Sequence, residues 1–176
     1  MHARKTVIAS AALLMVGAVS RGADGPVALG QPAATALFER LKGLAGHWKS
    51  HGSRGYDEES VVKVIAGGSV VDVASTGAHP GEEMRTVYHM DRDRLLLTHY
   101  CIAKNQPRLV ATAYDPSAGT ARFEFLDATN LPSRDKGHMD KVELRFLDQD
   151  HVIERWTWYA NGKESWMEEA DARRQR

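Results

Sequence analysis

The chain has 176 residues, 43% of them apolar, and its 23 Lys plus Arg balance 23 Asp plus Glu. Formal neutrality leaves no electrostatic footprint for nucleic acid and no basic helix for a membrane surface. A single cysteine excludes an internal disulfide, so stability must come from an apolar core.

The chain opens with His2, Arg4 and Lys5, followed by an apolar run from Thr6 to Val19 that ends in small residues. This is the pattern of a secretory signal peptide, expected over residues 1–22, with cleavage after Ser20 or Gly22. The expected protein is therefore exported, periplasmic or secreted, with no integral membrane span once the signal is removed, because no other apolar stretch is long enough. Residues 23–32, rich in Gly, Pro and small side chains, read as a linker. A single domain is expected from 33 to 176, a usual size for one core.

Leu37, Phe38, Leu41 and Leu44 recur at helical spacing and predict a short helix over Ala33–Leu44. Strand and turn patterns follow at regular intervals. Ten strands are predicted, five of them at His47–Arg54, Glu59–Ile65, Ser69–Ser75, Glu82–Met90 and Arg94–Cys101. The other five are Arg108–Tyr114, Ala121–Asp127, Met139–Leu147, His151–Tyr159 and Lys163–Glu169. Gly67-Gly68 and Asn161-Gly162 suit tight hairpin turns. No connection is long enough for a crossover helix, so every pairing is antiparallel, and closure into a barrel removes the free edges. The expected fold class is all-β, an up-and-down ten-stranded antiparallel β-barrel with one short N-terminal helix.

Alternation along the strands assigns faces. Phe123 with Phe125, and Val142 with Leu144 and Phe146, turn inward. Val152, Glu154, Trp156 and Trp158 are assigned to the inside of their strand, where Glu154 needs a partner. His99 and Cys101 share the face of Leu95 and Leu97. Up-and-down connectivity puts the helix at one end and the loops near Tyr56, His79, Asn105, Asn130 and Asn161 at the other. His99, Cys101, His138 and Trp158 fall near that second, open end, and the connection Ala128–Gly137 overhangs it as a candidate lid. The basic tail Arg173-Arg174-Gln175-Arg176 is expected to be solvated.

Leu44-Ala45-Gly46-His47-Trp48, after a helix and opening the first strand, resembles the Gly-x-Trp start of calycin barrels, which include lipocalins and fatty-acid-binding proteins. The segments around Val87–Asp91, Leu96–Cys101, Asn105–Arg108, Phe123–Leu131, Gly137–Met139 and Trp156–Trp158 together resemble exported bacterial lipocalin-like barrels akin to the DUF1579 proteins. The resemblance implies a fold and not an activity. The glycine-rich first hairpin of the haem-binding nitrobindins, which the chain otherwise resembles in architecture, is absent.

The reading that follows is a barrel that binds a small, partly apolar organic molecule at its open mouth. The expected contacts are Tyr88, His99, Cys101, Asn130, His138, Trp156 and Trp158. With a barrel radius of about 10 Å, His99 and His138 would grip opposite sides of such a ligand. Two alternatives stand beside it. His99 and Cys101 could serve a hydrolase or isomerase, with imidazole activating thiol. They could also hold a metal, with His138, Asp140 or Glu154 as third ligand. Neither a cofactor nor an oligomeric state is legible in the chain.

Overall fold

The computed structural model describes residues 25–79 and 81–176. The expected signal peptide lies outside the described residues, as do residues 23–24 of the expected linker; residues 25–30 form no helix or strand, and Gln31 and Pro32 belong to the helix. Among the described residues, no helix is long and apolar enough to cross a membrane.

Among the described residues, one α-helix, α1 (Gln31–Lys42), precedes ten strands. These are β1 (Gly46–Gly52), β2 (Asp57–Ile65), β3 (Val70–Thr76), β4 (Glu83–Asp91) and β5 (Arg94–Tyr100). They continue as β6 (Gln106–Asp115), β7 (Thr120–Thr129), β8 (His138–Phe146), β9 (His151–Ala160) and β10 (Lys163–Gln175). Each strand pairs antiparallel with its neighbour in sequence, and β10 returns to β1, so the sheet is a closed up-and-down barrel as expected.

The helix begins slightly earlier than its apolar spacing suggests, because Pro32 sits in the first turn, where a fixed φ and a missing N–H cost nothing. Ala34, Leu37, Phe38 and Leu41 are buried, and the helix packs against β4, β5 and β6. It closes one end of the barrel. Above it the interior is filled by Leu95, Leu97, Leu109, Phe123, Val142 and Leu144, all 2% exposed or less. The inward assignments on β7 and β8 thus hold for Phe123, Val142, Leu144 and Phe146. Asn161 and Gly162 both take positive φ, at 54° and 78°, the conformation a tight primed hairpin needs.

The tail is the main departure. Strand β10 runs on to Gln175, and its residues Ala170–Gln175 form the ladder that closes onto β1. Ala and Arg are weak strand formers, so only closure of the sheet dictates this conformation. Arg174 is not solvated. Its guanidinium donates to the carbonyls of Gly43, Leu44, Ala45 and Gln149, pairs with Asp150 at 2.8 Å, and lies 4.6 Å from the centre of the Trp48 ring. It therefore satisfies carbonyls just beyond the end of α1 that have no helical partner.

Candidate functional site

The end of the barrel opposite the helix holds a lumen of about 80 Å³, and a second space of about 30 Å³ lies below it. The two spaces share Ser60, Val73, Tyr88 and Glu154 in their walls. Small interiors of this kind are largely filled by side chains, so what remains open is specific in its chemistry.

The lumen is built from opposed pairs. Thr86 on β4 pairs with His99 on β5, which brings Thr86 Oγ1 to 3.0 Å from His99 Nδ1. His99 is only 5% exposed, and its Nε2 has no hydrogen-bond partner. The ring lies 5.0 Å from that of Trp156 on β9. With burial and no acidic partner, its pKa is pushed down from 6.5 to about 4, and the imidazole is neutral at ordinary pH.

Trp156 pairs with Glu168 on β10 and donates Nε1–H to Glu154 Oε2 at 3.2 Å. That indole is the partner the buried Glu154 requires. Arg108 pairs with Asp127 on the outside. Glu58 of β2 and Tyr56 before it complete the acidic side. Burial, then the Glu154 and Glu168 carboxylates, raise Glu58 from 4.5 to about 7. Burial and the adjacent Glu168 likewise push the Tyr56 phenol up. Burial also raises Glu154. The lining includes three carboxylates and one histidine but no lysine or arginine. Among the described residues, no group of three His, Cys, Asp or Glu side chains is close enough to hold a metal ion.

Of the seven side chains expected at the mouth, Tyr88, His99 and Trp156 line it. The other four do not. His138 is displaced by a β-bulge: Met139 pairs with Trp158 and Lys141 with Thr157, so the extra residue Asp140 shifts parity. Met139 enters the lumen in its place, and His138 pairs with Tyr159. It is 0% exposed, its Nδ1–H donates to Lys136 O at 2.6 Å, and its Nε2 accepts from Arg134. Arg134 is itself clamped between the Phe125 and Tyr159 rings and paired to Asp140. His138 thus anchors the 130–137 loop, and the expected grip of two histidines across the lumen does not form.

Trp158 stacks on Trp166, with ring centres 5.6 Å apart and planes 4° apart, and Gly137 lies against it. Cys101 lies beyond the last β5 residue, in a turn where Ala103 N–H donates to its Sγ at 3.5 Å. It therefore departs from the His99 face, and burial pushes its thiol up. Asn130 is exposed, with φ at 54°, a conformation Asn tolerates better than most residues, and its amide donates to Gln106.

The lumen residues that sequence reasoning missed are chiefly Tyr56, Glu58, Met139 and Glu168. Strand alternation could have flagged Glu58 with Ser60 and Val62. Glu168 could have been found from Ala170 and Ala172, had β10 been drawn to its full length.

No protein-family model matches the chain, and no curated protein sequence matches it. Among solved structures, a protein of unknown function from the DUF3598 family of Nostoc punctiforme is similar, with a TM-score of 0.52 and 10% identity. The match covers 77% of this chain and 49% of that one, so the chain spans about half the length of that protein. An S-type phycobiliprotein lyase from Guillardia theta is similar over 82% of this chain and 93% of its own, with a TM-score of 0.42 and 13% identity. The DUF3598 likeness bears on the fold alone. The motif resemblance to DUF1579 proteins gains no support from these matches.

Proposed function

We propose that this chain is a small-molecule-binding barrel whose ligand enters at the open mouth and meets His99, Trp156 and Tyr88. The observation that carries this reading is His99 Nε2, a buried polar atom without a partner in a residue that lines the lumen. An unsatisfied buried group of this kind costs on the order of 1–3 kcal/mol, which a bound ligand recovers. The lumen of about 80 Å³ is small beside the roughly 300–1,000 Å³ of pockets that enclose drug-sized ligands, so it suits a head group more than a whole large molecule.

The enzyme alternative is weaker on the same geometry. Cys101 is separated from the lumen, and burial disfavours its thiolate. Export belongs to the same reading and is supported by the basic start and the apolar run to Val19. Cell fractionation with N-terminal sequencing of the mature chain tests it.

The test of binding is a thermal-shift screen of small organic molecules, lipids, tetrapyrroles and divalent metals. Stabilisation by an organic compound that is lost in His99→Ala and Trp156→Ala, and kept in His138→Ala, is the expected result. Stabilisation by metal alone, lost in His99→Ala, would overturn it.

A further inference from the structure

The mouth has an unusual balance of charge for a closed β-barrel interior. Three carboxylates, Glu58, Glu154 and Glu168, open onto one lumen, and they come from three different strands, β2, β9 and β10. Glu168 is 7% exposed. No lysine or arginine side chain lines the space, so without a ligand the charge is relieved only by protonation, which burial favours in Glu58 and Glu154. The hydrogen bonds they do receive, Trp156 Nε1–H to Glu154 and the Arg54 backbone N–H to Glu168, come from neutral donors.

Groups facing inward without a counter-charge are costly, and a barrel core has no need of three of them. They are also too dispersed to chelate a metal ion. A polyatomic cation, whose charge is spread over several N–H or N–CH₃ groups, can meet carboxylates that a single ion cannot.

The second observation is the orphan nitrogen of His99. In the tautomer that donates Nδ1–H to the Thr86 hydroxyl, Nε2 offers a lone pair, one more acceptor facing a space already lined by acceptors. Trp156 and Tyr56 line the same lumen, and indole is the strongest aromatic partner for a cation. Carboxyl groups, a free imidazole nitrogen and an aromatic face converge. The lining offers an anion no cationic side chain.

We propose that the ligand is an organic cation, with a compact ammonium or guanidinium group seated among Glu58, Glu154 and Glu168 against Trp156. This rests on the binding function proposed above and gives it a ligand class. The charged group enters the lumen, and the remainder of the molecule stays at the mouth.

The test uses three probes of one carbon frame and different charge: benzylammonium, benzyl alcohol and benzoate. Each is titrated into the protein at neutral pH by calorimetry, with the indole N–H signal of Trp156 followed by NMR. Benzylammonium is expected to bind at least about tenfold more tightly than the alcohol, and benzoate not at all. Glu154→Gln should weaken benzylammonium about tenfold and leave the alcohol unchanged. Glu168→Gln serves the same purpose if that variant does not fold. Equal or tighter binding of the alcohol or of benzoate at Trp156 would overturn the charge assignment while leaving the binding reading intact. If no probe moves the Trp156 signal at millimolar concentration, the cation proposal falls too, and the broader ligand screen then judges the binding reading separately.

Discussion

Met139 stands directly opposite Trp158 across the β8–β9 ladder, and that single register step is why His138 is not in the lumen. A bulge moves every residue beyond it to the other face. Two histidines that looked equivalent in sequence therefore have different surroundings. His99 faces an open space with a free nitrogen, and His138 is locked between an arginine and a backbone carbonyl.

His138→Ala is expected to destabilise the fold by about 2–4 kcal/mol, because it empties a fully buried site and leaves Arg134 short of an acceptor. Chemical denaturation measures this, and hydrogen exchange of residues 130–137 should rise with it. His99→Ala should change that loop little. The opposite ranking would mean that the loop is held by something else.

Glu58 and His99 set opposing pH dependences. The folded state keeps the Glu58 proton up to about pH 7, whereas a free carboxyl releases it near 4.5. Its contribution is therefore full below 4.5 and lost as pH rises to about 7. The folded state excludes a proton from His99 down to about pH 4, against 6.5 when free, so that contribution is full above 6.5 and lost as pH falls to about 4. Between these limits the two slopes offset each other. The stability of Glu58→Gln relative to wild type should climb with pH across this window, and that of His99→Gln should fall. Each change is expected to be about 2–3 kcal/mol, after allowing for the partial exposure of Glu58. Urea titrations at several pH values would reveal it, and parallel curves would contradict it.

Arg174→Ala is expected to cost about 2–3 kcal/mol, since four carbonyls lose a donor and Trp48 loses its cation. Lysine at this position should recover only part of the loss, because one ammonium cannot reproduce the planar fork. A lysine variant as stable as wild type would show that charge alone suffices.

Cys101 should alkylate with iodoacetamide no faster at neutral pH than an unperturbed thiol, because burial holds its pKa up. Cys101→Ala should leave ligand affinity unchanged. Rapid modification, or lost binding in the alanine variant, would return the thiol to the functional site.

Periodicity alone determined the all-β class, the ten strands, the closing helix and the inward faces of Phe123, Val142 and Leu144, because alternation reports burial wherever a strand is regular. The same rule placed His99 and Trp156 at the lumen, since β5 and the middle of β9 pair without a bulge there. It failed where backbone geometry departs from a two-residue repeat. The bulge at Asp140 exchanged Met139 for His138, and the turn after Tyr100 took Cys101 away from His99. Closure of the barrel also lies beyond local pattern. Ala170–Gln175 has little strand propensity of its own, and only the unpaired edge of β1 draws it into the sheet. The acidic lumen is the clearest case of this kind. Glu154 and Glu168 belong to one hairpin, but Glu58 is far from both along the chain, and its meeting with them is a property of ring closure, which sets β2 beside β1 and β1 beside β10.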